Sequence, residues 1–370
     1  MAATNRTPVE SLNMGLQSQP VSALYSHSLM DINRLHELVR EGELSAWKES
    51  PVAIDLLTEP NSAGTTALHI AAKYGTMSQL PPNVFTPVLF TIKNKSGYTP
   101  LHHAAIGGNL TKVPAFLLIL DLLLTRSNSG YTVFHTAAAA GTLSQLPPQL
   151  LTRDTILLKT ELGNTLLHEA AENGFLSQIP AEFMTKENLL ERNVSGETIL
   201  HVAALNGHLD QIAPELITNE LLSLNTQSGD TVFHAAAISH HLEQIPAQFI
   251  THDNLILRSN SGYTPIHAAA ETGQLDAIPN EVLTSDLLLT QNDLGDTPLH
   301  AAAAEGHLNQ LPKELLTSSN LAVRNYNGAT PIRTAIISGH IDQIPEGLRP
   351  RPPGIVQRLL YKIGFSRPEY

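Results

Sequence analysis

The chain has no cysteine among its 370 residues. This excludes disulfides, thiolate metal sites and cysteine nucleophiles, and fits a reducing compartment. Aromatic residues make up only 5% of the chain, with a single tryptophan at Trp47. So few rings suggest a core of alanine and leucine between closely packed small helices. Basic residues are outnumbered 22 to 34 by acidic ones, for a net charge of −12. Nucleic-acid binding needs a basic stripe, and the body of the chain has none. No apolar run is long enough to cross a bilayer: the best, Val113 to Leu124, is short and contains Asp121. The opening residues lack the basic and then apolar regions of a secretory signal. A cytoplasmic location is the expectation, with export as an effector left open.

What the chain does have is a period. The pattern G-x-T-x-[LIF]-H places histidines at His69, His102, His135, His168, His201, His234, His267 and His300, each 33 residues after the last. One further step reaches Arg333, and one step back reaches His36. A threonine precedes the marker by three residues in nine units, from Thr66 to Thr330. Such a fixed period is the mark of a repeat array, which lengthens without enlarging a single core.

Local chemistry accounts for each element of the unit. A glycine such as Gly97, Gly130 or Gly163 suits a tight turn with positive φ. The threonine can cap a helix, and the proline that follows it at Pro100, Pro265, Pro298 and Pro331 fits the first helical position. A pair of alanines lets neighbouring helices approach. A second glycine, six residues after the marker in eight units, ends the helix in a left-handed cap.

These features resemble the ankyrin repeat, with its T-P-L-H-x-A-A-x-x-G signature, over roughly Asp31 to Gly347. The resemblance implies an all-α solenoid of about ten helix-turn-helix units with β-hairpin turns, binding proteins on its concave face. It also implies a structural marker histidine, bonded to the preceding threonine and to backbone across the turn.

The second half of the unit departs from that family. It reads L-x-Q-[IL]-P-x-E-L-L-T, as in Leu308 to Thr317, a variant similar to those of bacterial ankyrin proteins. A proline falls at Pro81, Pro114, Pro147, Pro180, Pro246, Pro279, Pro312 and Pro345, slipping to Pro214 in one unit. An interior proline costs a helix about 3 kcal/mol. The second helix is therefore expected to be broken: one turn at L-x-Q-I, a brief helix starting at Pro with the acid in its third position, and another turn capped by Thr. A continuous kinked helix is the alternative. Pairs such as Leu189-Leu190 are expected to pack between units.

Three regions follow. Residues 1–30 lack periodicity and read as a flexible arm; 31–347 are the solenoid; 348–370 form a basic, proline-rich tail with five cations against one acid. A short amphipathic helix in that tail could cap the last repeat or dock elsewhere. His240 stands where a turn glycine belongs, which predicts a slightly strained turn.

Seventeen histidines invite a metal or catalytic reading. Equivalent positions in adjacent units lie about 8–10 Å apart, too far to share one zinc ion at about 2 Å. The same holds for His208, His241, His307 and His340. No nucleophile elbow, phosphate loop or HExxH motif occurs. No catalytic, metal or cofactor-binding residue is assigned, and the chain is expected not to be an enzyme; one with an unrecognised site is the weakest reading.

If stacking determines the scaffold positions, information lies in the others. The residue after the turn glycine varies through Tyr98, Tyr131, Asn164, Glu197, Asp230, Tyr263, Asp296 and Ala329. Inner-helix positions vary through His103, Glu169, Glu172, Glu271 and Glu305, among others. The candidate partner-binding set is Tyr98, His103, Tyr131, Glu169, Glu172, Glu197, Asp230 and Tyr263: aromatic anchors followed by an acidic middle. The leading reading is a monomeric, non-catalytic scaffold for a basic protein or peptide. The alternative is a host-directed bacterial effector or adaptor in which the repeats bind and the tail docks.

Overall fold

The computed structural model describes residues 32–44 and 54–350. The flexible arm, Trp47 and the tail helix expected beyond residue 350 lie outside them. Within the described residues, α-helices and short 3-10 turns follow one another without a strand, and one isolated antiparallel bridge joins Arg192 and Thr198. The helical repeat expected from the period is present.

One unit shows how the sequence makes the fold. A turn closes between Thr160 and Asn164, with Gly163 at φ 77°. Thr165 caps the inner helix Leu166–Asn173, which ends at left-handed Gly174. A 3-10 turn, Leu176–Gln178, then gives way to extended Ile179 and Pro180. A second 3-10 turn, Ala181–Phe183, leads to Thr185, which caps the four-residue helix Lys186–Leu189.

The second helix is thus broken, as the prolines require. One detail differs from expectation. Pro114, Pro180, Pro246, Pro312 and Pro345 do not begin the turn; each is the extended residue just before it. Polyproline-like ψ near 130° at these positions separates the two turns, so the following acid stands second rather than third. Only Pro82, Pro148 and Pro214 enter the first turn itself. Thr185, Thr218, Thr251 and Thr284 accept a backbone N–H as caps. Of the pair Leu189-Leu190, Leu189 is buried while Leu190 is exposed.

Consecutive inner helices pack side by side along the array. Their leucines and alanines, such as Leu167, Ala170, Ala171, Leu200, Ala203 and Ala204, are fully buried. The turns form a second row. Val194 donates its N–H to Leu162 O, and the equivalent bond recurs from Lys95 to Ala63 and from Tyr326 to Leu294. A Cβ on Gly163 would lie 2.9 Å from Val194 N. Glycine there provides both the positive φ and the close approach of the next turn.

The glutamine of L-x-Q links units on the opposite side. Gln145 Oε1 accepts from Leu110 N at 2.9 Å while Nε2 donates to Gly108 O at 3.0 Å. Gln244 repeats this with Leu209 and Gly207 at 3.0 and 2.8 Å, and Gln310 with Leu275 and Gly273 at 3.1 and 2.8 Å. A side-chain amide is suited to the task, because it satisfies a donor and an acceptor of the preceding unit's turn at once.

Candidate functional site

The marker histidines hold the two rows together. The backbone N–H of Thr66, Thr99, Thr132, Thr165, Thr198, Thr231 and Thr297 meets the Nδ1 of the histidine three residues on, at 3.0–3.2 Å. An amide can only donate, so Nδ1 is the acceptor and the proton sits on Nε2. Nε2 then donates to a carbonyl of the next unit's turn: Tyr98 for His69, Glu197 for His168, Asp230 for His201. His135 alone reaches Leu158 O instead. Burial depresses these imidazoles; His69, His102, His135, His168, His201 and His267 fall to about 4. Among the described residues, no three histidine, aspartate or glutamate side chains come together as a metal site.

His208 and His307 are likewise structural. Each donates from Nδ1 to the preceding unit's helix, at Ala171 O and Ala270 O, 2.8 and 3.1 Å away.

A groove runs between the row of turns and the inner helices, and it collects the variable positions. At one end, the Tyr98 ring stands edge-on to His102 and His103, with centroids 5.2 and 6.5 Å away. His103 is held between His69 and Asn94, and burial drives it to about 3. Tyr131 Oη donates to Glu169 Oε2 at 3.0 Å, and Asn164 Nδ2 donates to Oε1 at 3.1 Å. Glu169 was expected at the groove surface; the structure buries it, at 2% exposure. Two units close over one carboxylate, and desolvation raises its pKa. Glu172, one helical turn on, is exposed.

Further along, two pockets open. Glu197 and Asp230 share one of about 280 Å³ with Leu205 and Ile238. Tyr263 lines another of about 540 Å³ with Glu271, Asp296, Ala304 and Glu305. The structure thus joins Tyr131 with Glu169, Tyr98 with His103, and Glu197 with Asp230. It leaves Tyr263 with none of the other predicted residues. Leu205 and Ile238 were missed. Both stand four residues after a marker histidine, a position whose variation along the chain was the available signal.

Most carboxylates of the groove stand without a cation, although Asp293, which also lines the larger pocket, is among those paired across units. Arg153 pairs with Glu187 at 2.7 Å, Lys159 with Glu191 at 3.0 Å, and Arg258 with Asp293 at 2.7 Å, each across a unit boundary. Among the described residues, Glu172, Glu197, Asp230, Glu271, Asp296 and Glu305 form no ion pair. Several accept only neutral donors: Asn193 serves Glu197, Ser228 serves Asp230, Asn325 serves Asp296.

Stacked helix-turn units, a hydrogen-bonded row of turns and a variable groove between them define a helical repeat protein of the protein-binding kind. The ankyrin-repeat family model matches residues 294–326, and the same unit recurs along the described chain; the chain is an ankyrin-repeat protein. Among curated proteins, no relative matches it. Ankyrin repeats generally mediate protein–protein interaction and are typically non-catalytic. No helix of the described residues is long and apolar enough to cross a membrane.

Proposed function

We propose that the chain is a non-catalytic scaffold that holds a basic protein segment in the groove between its turns and inner helices. The observation that carries this reading is the gathering of acids without a cation at the groove pockets. Glu197 and Asp230 line one pocket and Glu271, Asp296 and Glu305 the other, and none of these five has a cationic partner among the described residues. An array that paired every acid would gain nothing from a cationic ligand. Carboxylates without a cation steer a basic partner on approach and discriminate against an acidic one.

The test is a randomised peptide library panned on the full chain and on a variant carrying Glu172→Lys, Asp230→Lys and Glu305→Lys. All three side chains are at least partly solvent-exposed, so the fold should survive, which far-UV circular dichroism would confirm. Enrichment of Lys- and Arg-rich sequences on the parent, lost on the variant, supports the reading. Enrichment of neutral or acidic sequences, or of basic ones that survive the reversal, overturns it.

A further inference from the structure

The two pockets are the same site at two places in the array. Ser195, His201, Thr226, Asp230 and Ala235 of the smaller correspond to Ser261, His267, Asn292, Asp296 and Ala301 of the larger, two units on. In each, an aspartate on a turn overhangs a floor contributed by the inner helices. In the smaller pocket, the floor is Leu205 and Ile238, the latter 47% exposed. In the larger, it is Ala301 and Ala304, with Tyr263 as a wall. An apolar floor under an acidic rim fits a long cationic side chain, whose methylene stem covers hydrocarbon while its head reaches the carboxylate. An aromatic wall adds to the attraction.

Resting on the basic-ligand reading above, we infer that the groove recognises an extended peptide through two basic side chains six residues apart. Units stack at about 8–10 Å, so pockets two units apart are separated by about 16–20 Å. An extended chain advances about 3.3 Å per residue, which makes the interval five or six residues. Successive side chains of an extended strand point to opposite faces. Both anchors must face the groove, so the interval is even, and six is the even number that fits. The intervening side chains that face inward cross the unit between the pockets. The second anchor binds intramolecularly once the first is seated, so spacing governs affinity at constant charge.

The experiment uses the full chain and a set of capped thirteen-residue peptides of serine, threonine and alanine. Each contains two lysines, placed at i and i+2, i+4, i+5, i+6 or i+8. Fluorescence anisotropy reads the affinities, and two pocket variants are compared with the parent: Glu197→Gln/Asp230→Asn and Glu271→Gln/Asp296→Asn. The expected result is that the i+6 peptide binds about tenfold more tightly than the others, and that either variant abolishes this preference. Equal affinities at all spacings, weakened by the variants, would overturn the two-anchor inference while leaving the basic-groove reading intact. An i+6 preference that survives neutralisation of either pocket would also overturn it. Failure of every peptide to bind would remove both.

Discussion

Gln274 reaches back to the unit of His240, donating to Ala237 O and accepting from Leu242 N at 2.9 Å. His240, at φ 63°, is the only non-glycine residue with positive φ among those described. In regular units, the residue after a turn glycine lies over the preceding unit's turn glycine. His208 covers Gly174 and His307 covers Gly273, so closely that a Cβ there would meet the ring at under 3 Å. His240 carries a Cβ, and the residue over it is a slender glutamine. That glutamine also takes the place of the L-x-Q amide, because this unit has Ala277 at the usual glutamine position. Three irregularities therefore form one compensated set.

His240→Gly should stabilise the chain by about 1 kcal/mol through relief of the left-handed backbone. Gln274→Ala should destabilise it by about 2 kcal/mol, since a backbone donor and an acceptor lose their partner. Installing the regular residues, Gln274→His with Ala277→Gln, should be tolerated only alongside His240→Gly. Urea unfolding of the four variants measures all of this. Equal stability of the regularised pair with and without His240→Gly would refute the coupling.

The pairing of Tyr131 with Glu169 predicts an asymmetry. Tyr131→Phe leaves a buried carboxylate short of a donor and should cost about 1–3 kcal/mol. Glu169→Gln removes the cost of burying a charge but leaves one oxygen for the two donors Tyr131 and Asn164, so it should cost less than Tyr131→Phe. Thermal denaturation above pH 7 distinguishes the two; a larger loss for Glu169→Gln would contradict the assignment.

The histidine ladder makes stability depend on pH with a definite sign. Burial holds six marker histidines down to about 4 in the folded chain, against an ordinary imidazole value of about 6.5. Between these values, the unfolded chain binds protons that the folded chain refuses. Their contribution is fully present above about pH 6.5 and is lost as pH falls towards 4. Glu169, with its raised pKa, acts in the opposite sense, but it is one group against six. The urea midpoint should therefore fall steeply between pH 6.5 and 4.5. His168→Gln should lower stability at pH 7 and flatten that slope. A midpoint that is level over this range would show that the imidazoles are not held neutral.

The period and the marker chemistry were legible because they are local or repeat exactly every unit. Thr165 and His168 meet within one turn of helix, so their spacing carries their role. The break at Pro180 followed from the absence of an amide hydrogen. The glutamines were harder. Gln145 bonds to Leu110 and Gly108, more than thirty residues earlier, and nothing in its neighbours says so. Its regular place two residues before the proline was a signal, but not one with a local explanation. Glu169 was placed on the groove surface because its position varies among units. Its burial depends on Tyr131, a lateral neighbour from the unit before, which only the packed array reveals. Leu205 and Ile238 were hidden by the ordinary assumption that apolar helix residues belong to the core.

The groove account is tested most directly by hydrogen–deuterium exchange on the full chain, with and without a lysine-rich peptide. Protection should rise in the turns and inner helices spanning 195–238 and 261–305, with the L-x-Q-[IL]-P segments on the other side unchanged. Protection confined to those outer segments, or none at saturating peptide, would contradict it.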